Sequence, residues 1–200
     1  MAKPIVKSLV CVGVLLASAS GALSSAYAAT ISYTFSGTGA GSFAGTPFSN
    51  EAFSMVLTGD TSAVTGIAPD YTLIATSTSI YVAGFGAAIS TDPYEVDTGL
   101  FAGFGEAYFL DASSPSTGGL FMSLVPGLLG YNLTYSIGPF LAQEATIPYQ
   151  IPTTEGTVVI SSFSGGTFAA SVAPEPATWV QLCGALLGMI LLPLRRPQTR

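Results

Sequence analysis

The sequence predicts an all-β chain whose body is a single antiparallel β-sandwich, with a jelly roll as the alternative. Three observations carry that expectation. Apolar and hydroxyl residues alternate with period two in many short runs, turn-forming residues separate those runs at fairly regular spacing, and no stretch shows the 3.6-residue periodicity of an amphipathic helix.

The run 30–36 sets the design, with Ile31, Tyr33 and Phe35 on one face and Ser and Thr on the other, as a half-buried strand requires. Runs of the same kind follow at 53–58, 71–75, 79–82, 106–110, 120–125, 131–137, 157–163 and 167–172. Between them lie Gly59-Asp60, Pro69-Asp70, Asp92-Pro93, Gly118-Gly119 and Gly165-Gly166, all of which are turn chemistry. About nine or ten short strands in one domain are what a sandwich needs. Its Ile, Leu, Val, Phe and Tyr residues face inward and its hydroxyls outward, so a chain that is 49% hydrophobic and 8% charged still presents a polar surface.

Three local features invite other readings. Gly37-Thr38-Gly39-Ala40-Gly41-Ser42 resembles a phosphate-cradling loop, but no helix follows and the lysine of such a loop is absent, so it reads as a flexible connection. Ala83-Gly84-Phe85-Gly86-Ala87 recurs as Ala102-Gly103-Phe104-Gly105-Glu106 without a third copy, which suits two strands with glycine-flanked bends better than a solenoid. Asn132-Leu133-Thr134 has the spacing of a glycosylation acceptor, yet it sits inside an alternating run and reads as strand.

Charge is distributed very unevenly. Residues 1–28 carry +2, residues 29–173 carry −10 and residues 174–200 carry +2. The body therefore has ten carboxylates and no Lys, Arg or His, so no internal salt bridge can form within it. Nucleic acid is excluded as a partner because nothing in the body neutralises phosphate. Ser-His-Asp, Cys-His and Ser-Lys arrangements are excluded, as are imidazole or thiolate metal sites, since Cys11 and Cys183 both lie in the terminal segments. The body is expected to have no catalytic residues and no resident cofactor.

Asp92, Glu95, Asp97, Glu106 and Asp111 are half of the body's acids within 20 residues. Tyr94, Phe101, Phe104, Tyr108 and Phe109 interleave with them. On a strand, Glu95 and Asp97 would share a face, and carboxylate oxygens with loop carbonyls suit calcium. Aromatic faces beside carboxylates also suit a sugar ring. A glycosidase would need two facing carboxylates at a defined separation, which the sequence does not specify.

The two ends read as addresses. Lys3 and Lys7, an apolar core over 9–19 and Ala26-Tyr27-Ala28 form a signal peptide over 1–28, with signal peptidase cutting before Ala29. At the other end, Pro174-Glu175-Pro176 precedes an uncharged stretch over 177–194, about 27 Å long as a helix at about 1.5 Å per residue and enough to span a bilayer. Arg195, Arg196 and Arg200 follow and keep the C-terminus inside, with the body outside the cytoplasm. Body 29–173 thus lies between two targeting segments.

Pro174-Glu175-Pro176, one span and a terminal arginine cluster together resemble the PEP-CTERM sorting signal of Gram-negative-type bacteria. The resemblance covers residues 174–200 only. It implies recognition by a membrane-embedded exosortase, and an association with exopolysaccharide and biofilm. The expectation is a non-enzymatic exported envelope or extracellular-matrix protein, anchored in the inner membrane before processing and then held in the envelope, on the surface or outside the cell. A calcium- or carbohydrate-binding β-sandwich module is the alternative, and a carboxylate-only glycoside hydrolase is the third.

N-terminal sequencing of exported protein should begin at Ala29, and a chain still beginning at Met1 would show an uncleaved leader.

Overall fold

A computed structural model of the protein describes residues 28–113, 120–144 and 148–173. The expected signal peptide up to Tyr27, the sorting motif, the span over 177–194 and the turn at Gly118-Gly119 lie outside the described residues. Among the described residues no helix is long and apolar enough to cross a membrane.

The fold is all-β. Its strands are β1 Thr30–Phe43, β2 Thr46–Asp60, β3 Thr65–Ile67, β4 Asp70–Ile74, β5 Ser77–Val82, β6 Gly86–Ile89, β7 Tyr94–Phe101, β8 Phe104–Asp111, β9 Phe121–Val125, β10 Ile137–Glu144, β11 Tyr149–Ile151 and β12 Val158–Val172. Two short 3-10 turns, Thr61–Ala63 and Pro126–Leu128, complete the described structure. All pairings are antiparallel, in the order β3-β4-β7-β8-β9-β10-β12-β1-β2-β5-β6, with β11 pairing separately on β12.

Two separate sheets would be the simplest sandwich, and the structure departs from that. Strand β10 joins the halves, pairing with β12 through residues up to Ala142 and with β9 through Gln143 and Glu144. The single sheet then folds back on itself. Phe35 of β1 meets Phe109 of β8 edge-on at 4.6 Å between ring centroids and stacks on Phe121 of β9 at 5.5 Å, although neither strand is a ladder neighbour of β1. Phe53 of β2 meets Phe121 at 5.6 Å, which closes the same layer from the other side. Edge-to-face and offset rings of this kind add to the burial of their large apolar surfaces.

Strand β1 realises the alternation read from its sequence. Ile31, Tyr33 and Phe35 are fully buried, while on the other face Ser32 and Ser36 pair their hydroxyls with Thr58 and Thr167, the latter at 2.9 Å. The glycine-rich segment from Gly37 to Ser42 is not a flexible connection, because it continues β1 between β2 and β12. Its glycines answer a steric need. A Cβ on Gly41 would collide with the Val159 carbonyl, so only glycine lets the bulged ladder close there. Gly165-Gly166 likewise lies within β12, which merges the two runs expected at 157–163 and 167–172 into one strand of 15 residues.

The run 131–137 is the clearest correction. It alternates, but residues 131–136 are irregular and β10 starts only at Ile137. Tyr131 and Leu133 are buried anchors of a loop. Side chains replace a ladder there. The Tyr33 hydroxyl donates to the Leu133 carbonyl at 2.6 Å, and the Tyr131 hydroxyl donates to that of Tyr135 at 3.0 Å. Asn132-Leu133-Thr134 is accordingly loop and not strand. The repeated Ala-Gly-Phe-Gly motif takes the simpler of its readings, with one copy at the β5–β6 hairpin turn and the other at the β7–β8 turn.

Packing and hydrogen bonding can be separated by mutation. Phe35→Ala should lower unfolding free energy by about 3–5 kcal/mol, as large cavities at buried aromatics do. Tyr33→Phe should cost about 1–2 kcal/mol, because it leaves the buried Leu133 carbonyl without its donor. Urea denaturation of both variants checks the ranking, and an equal or inverted cost would show that the loop anchor matters as much as the ring cluster or more.

Candidate acidic face

The ladder between β4, β7 and β8 sorts the acids by face. In β7, Tyr94, Val96 and Thr98 point into the core, so Glu95 and Asp97 share the outer face. In β8 the outer positions are Glu106, Tyr108 and Leu110. Asp97 stands opposite Tyr108 on one side and Thr72 on the other, and Glu106 stands opposite Gly99.

Asp70, read from the sequence only as part of a turn, opens β4 and joins this face. A Cβ on Gly99 would lie 2.9 Å from Glu106 Oε1 and 3.3 Å from Asp70 Oδ1, so the missing side chain makes room for two carboxylates. Asp97 Oδ1 is buried without a hydrogen-bond partner. Asp92 and Asp111 do not belong to this group. Asp111 is the inner-face partner of Tyr94 at the other end of β7 and β8, and its carboxylate accepts from the Ser113 backbone N–H and hydroxyl. Asp92 lies in the bend before β7, where its N–H donates to the Ser90 hydroxyl.

With no cation nearby, burial dominates the protonation of the outer-face acids. Desolvation raises the Glu95 carboxyl above its usual range, and the charges of Asp97 and Asp111 add to it. Desolvation also raises Asp97, reinforced by Asp70 and partly offset by the Thr72 hydroxyl, and it raises Glu106 with help from Asp70. The Tyr108 hydroxyl is pushed up to about 12, first by burial and then by Asp97, Glu106, Asp70 and Glu95. The face is a negative surface held under mutual repulsion.

The interleaved aromatics separate. Tyr94 and Phe109 are fully buried core residues, Tyr108 is half-buried beside the acids, and Phe101 and Phe104 are exposed partners at the hairpin tip. The Tyr94 hydroxyl is buried without a hydrogen bond of regular geometry, with the Tyr149 hydroxyl as a polar neighbour. Among the described residues no three acids converge as a metal-binding group. Elsewhere a groove of about 270 Å³ runs along the bulged part of β1, lined by uncharged residues that include Thr38, Ser49, Asn50, Ser162 and Ser164.

No protein-family profile matches the chain, and neither a curated protein nor a solved structure is significantly similar to it.

The raised carboxyls set the sign of a pH effect. A carboxyl whose pKa is higher in the folded state holds more protons there than in the unfolded chain, so stability falls as pH rises from the ordinary carboxylate range, about 4, through the folded value. Thermal melts should therefore show the body more stable at mildly acidic than at neutral pH. Asp97→Asn should flatten that dependence and raise neutral-pH stability by about 1 kcal/mol, the low end for relieving a buried unpaired polar atom. A wild-type curve that instead rises toward neutral pH would contradict the assignment.

Proposed function

We propose that this chain is a non-enzymatic exported envelope or extracellular-matrix protein, sorted by an exosortase-type system and associated with exopolysaccharide or biofilm. The observation that carries the proposal is the ordered tail, Pro174-Glu175-Pro176, an uncharged stretch and terminal arginines, set against a leader with a small-residue cleavage site. The boundaries of the fold support it. Strand β1 begins at Thr30, one residue after the proposed cleavage point, and β12 ends at Val172 just before the sorting motif.

In this reading signal peptidase removes 1–28, the span over 177–194 holds the β-sandwich body outside the cytoplasm, and an exosortase then acts on the tail. Two surface features favour association with a neutral hydrated polymer. The outer faces carry paired hydroxyls such as Ser36 with Thr167, and the groove beside β1 offers hydroxyl and amide groups without charge. Ten carboxylates without a base disfavour an anionic polymer.

Calcium or sugar binding by the body is the second reading. What favours it is the outer face, where Asp70 and Glu106 come together over Gly99 beside Asp97 and Tyr108. A divalent cation there would relieve the repulsion that raises these carboxyls.

In cells with an active exosortase, intact-mass measurement of surface material should show the peptide beyond the Pro174-Glu175-Pro176 region removed. Surface protein that uniformly retains Arg200 would sink the sorting proposal. For the second reading, calcium should raise the melting temperature of wild type but not of Glu95→Ala/Asp97→Ala, and a glycan-array signal should vanish in the same variant. A flat response in both assays removes it.

A further inference from the structure

Both ends of the described chain leave the fold at one place. The Ala173 N–H donates to the Thr30 carbonyl at 2.8 Å, and the Thr61 N–H donates to that of Ala29 at 3.0 Å. Around this exit runs a band of exposed apolar side chains. The Val172 N–H donates to the Ser136 hydroxyl at 2.9 Å, beside Tyr135, whose ring meets Tyr131 edge-on. Two residues before Tyr131 is Leu129, 61% exposed, whose backbone lies against Gly105. Next to Gly105 is Phe104, paired across the hairpin with Phe101, which is 58% exposed. On the other flank the β3–β4 hairpin leaves from Asp60, opposite Thr30, and returns at Thr76, bonded to Thr58. It carries Ile67, 81% exposed.

We infer that this end of the body is a membrane-docking face whose occupant is a zwitterionic lipid surface. The inference rests on the proposed C-terminal span. From Ala173 to Ala177 there are four Cα steps, which reach at most about 14 Å at about 3.6 Å each, so a span beginning at Ala177 holds this end of the body against the bilayer. Exposed Tyr, Phe, Leu and Ile are the side chains that gain from the boundary between headgroups and acyl chains. Charge selects the lipid. The body has no Lys or Arg to attract anionic headgroups, and Asp60 and Asp70 at this end repel them. Docking therefore draws on apolar contact alone, and it orients the acidic face and the groove beside β1 relative to the bilayer.

The chain's one tryptophan, Trp179, makes a clean test possible. In full-length Trp179→Phe protein reconstituted into phosphatidylcholine vesicles, a second substitution places the reporter at Phe101→Trp or, as control, at Phe85→Trp. Phe85 stacks on Phe43 at the far end of β1, about 40 Å along the strand from Thr30 at about 3.3 Å per residue. Brominated phosphatidylcholine should quench Phe101→Trp emission about twofold and leave Phe85→Trp unchanged, as an interfacial aromatic requires. Vesicles containing phosphatidylglycerol should weaken the quenching. If the protein floats with vesicles but Phe101→Trp is no more quenched than Phe85→Trp, docking is overturned while the span stands. If the protein does not float, the span fails, and docking falls with it.

Discussion

The phenylalanine cluster that joins the two layers is the interaction on which the rest of this fold depends. Phe35 sits at its centre, touching Phe109 and Phe121 across the layers and Phe168 of the adjacent strand β12 at 5.1 Å. The body has neither cysteine nor base, so nothing ionic or covalent ties β8 and β9 to β1. Aromatic packing does so instead, and Phe53 and Phe163 extend the cluster toward the bulged half of β1.

That dependence explains the placement of the acids. A carboxylate in the core would have no cation to meet, and burying it would cost several kcal/mol even after relaxation. The ladder therefore sends Glu95, Asp97 and Glu106 to the outer face, where strand pairing still crowds them. Asp70 reaches the same face because β4 pairs with β7. The raised carboxyls follow directly from that crowding and from partial burial. The acidic face is thus a consequence of composition meeting register, and it would be charged and repulsive with or without a ligand.

Local pattern was readable from the chain, and partnership was not. Period-two alternation correctly marked β1, β4, β5, β8 and β9, because in those segments one face is buried and the other is wet. It misjudged 131–136, where Tyr131 and Leu133 are buried by hydroxyl-to-carbonyl bonds in a loop, since alternation reports burial and not ladder pairing. Glycine suggested breaks at Gly37–Ser42 and Gly165-Gly166, while the chain uses it there to bring strands close. The five acids near residue 100 were found by density along the sequence, but Asp70 was missed, and Asp92 and Asp111 stand apart from the carboxylates around Gly99, although the Asp111 charge still reaches Glu95. Only the pairing of β4 with β7 reveals the first, and only the inner-face parity of Asp111 reveals the second. Neither is written in local spacing.

Among the described residues the strand order runs from β3 to β6, and the β6 end is partly covered, by a bridge between Ser90 and Thr153 and by the Thr154 N–H, which donates to the Ile89 carbonyl at 2.9 Å. An open edge offers unpaired amides and carbonyls to any passing strand, including one from another copy. Here the edges are only three and four residues long, whereas the strands of 14 and 15 residues lie inside the sheet. The surfaces best able to template a growing fibril are therefore already occupied within the molecule. A body whose copies all carry the same strong negative charge adds a second obstacle to stacking. At high concentration, short edges and shared charge favour separate folded units over stacked ones.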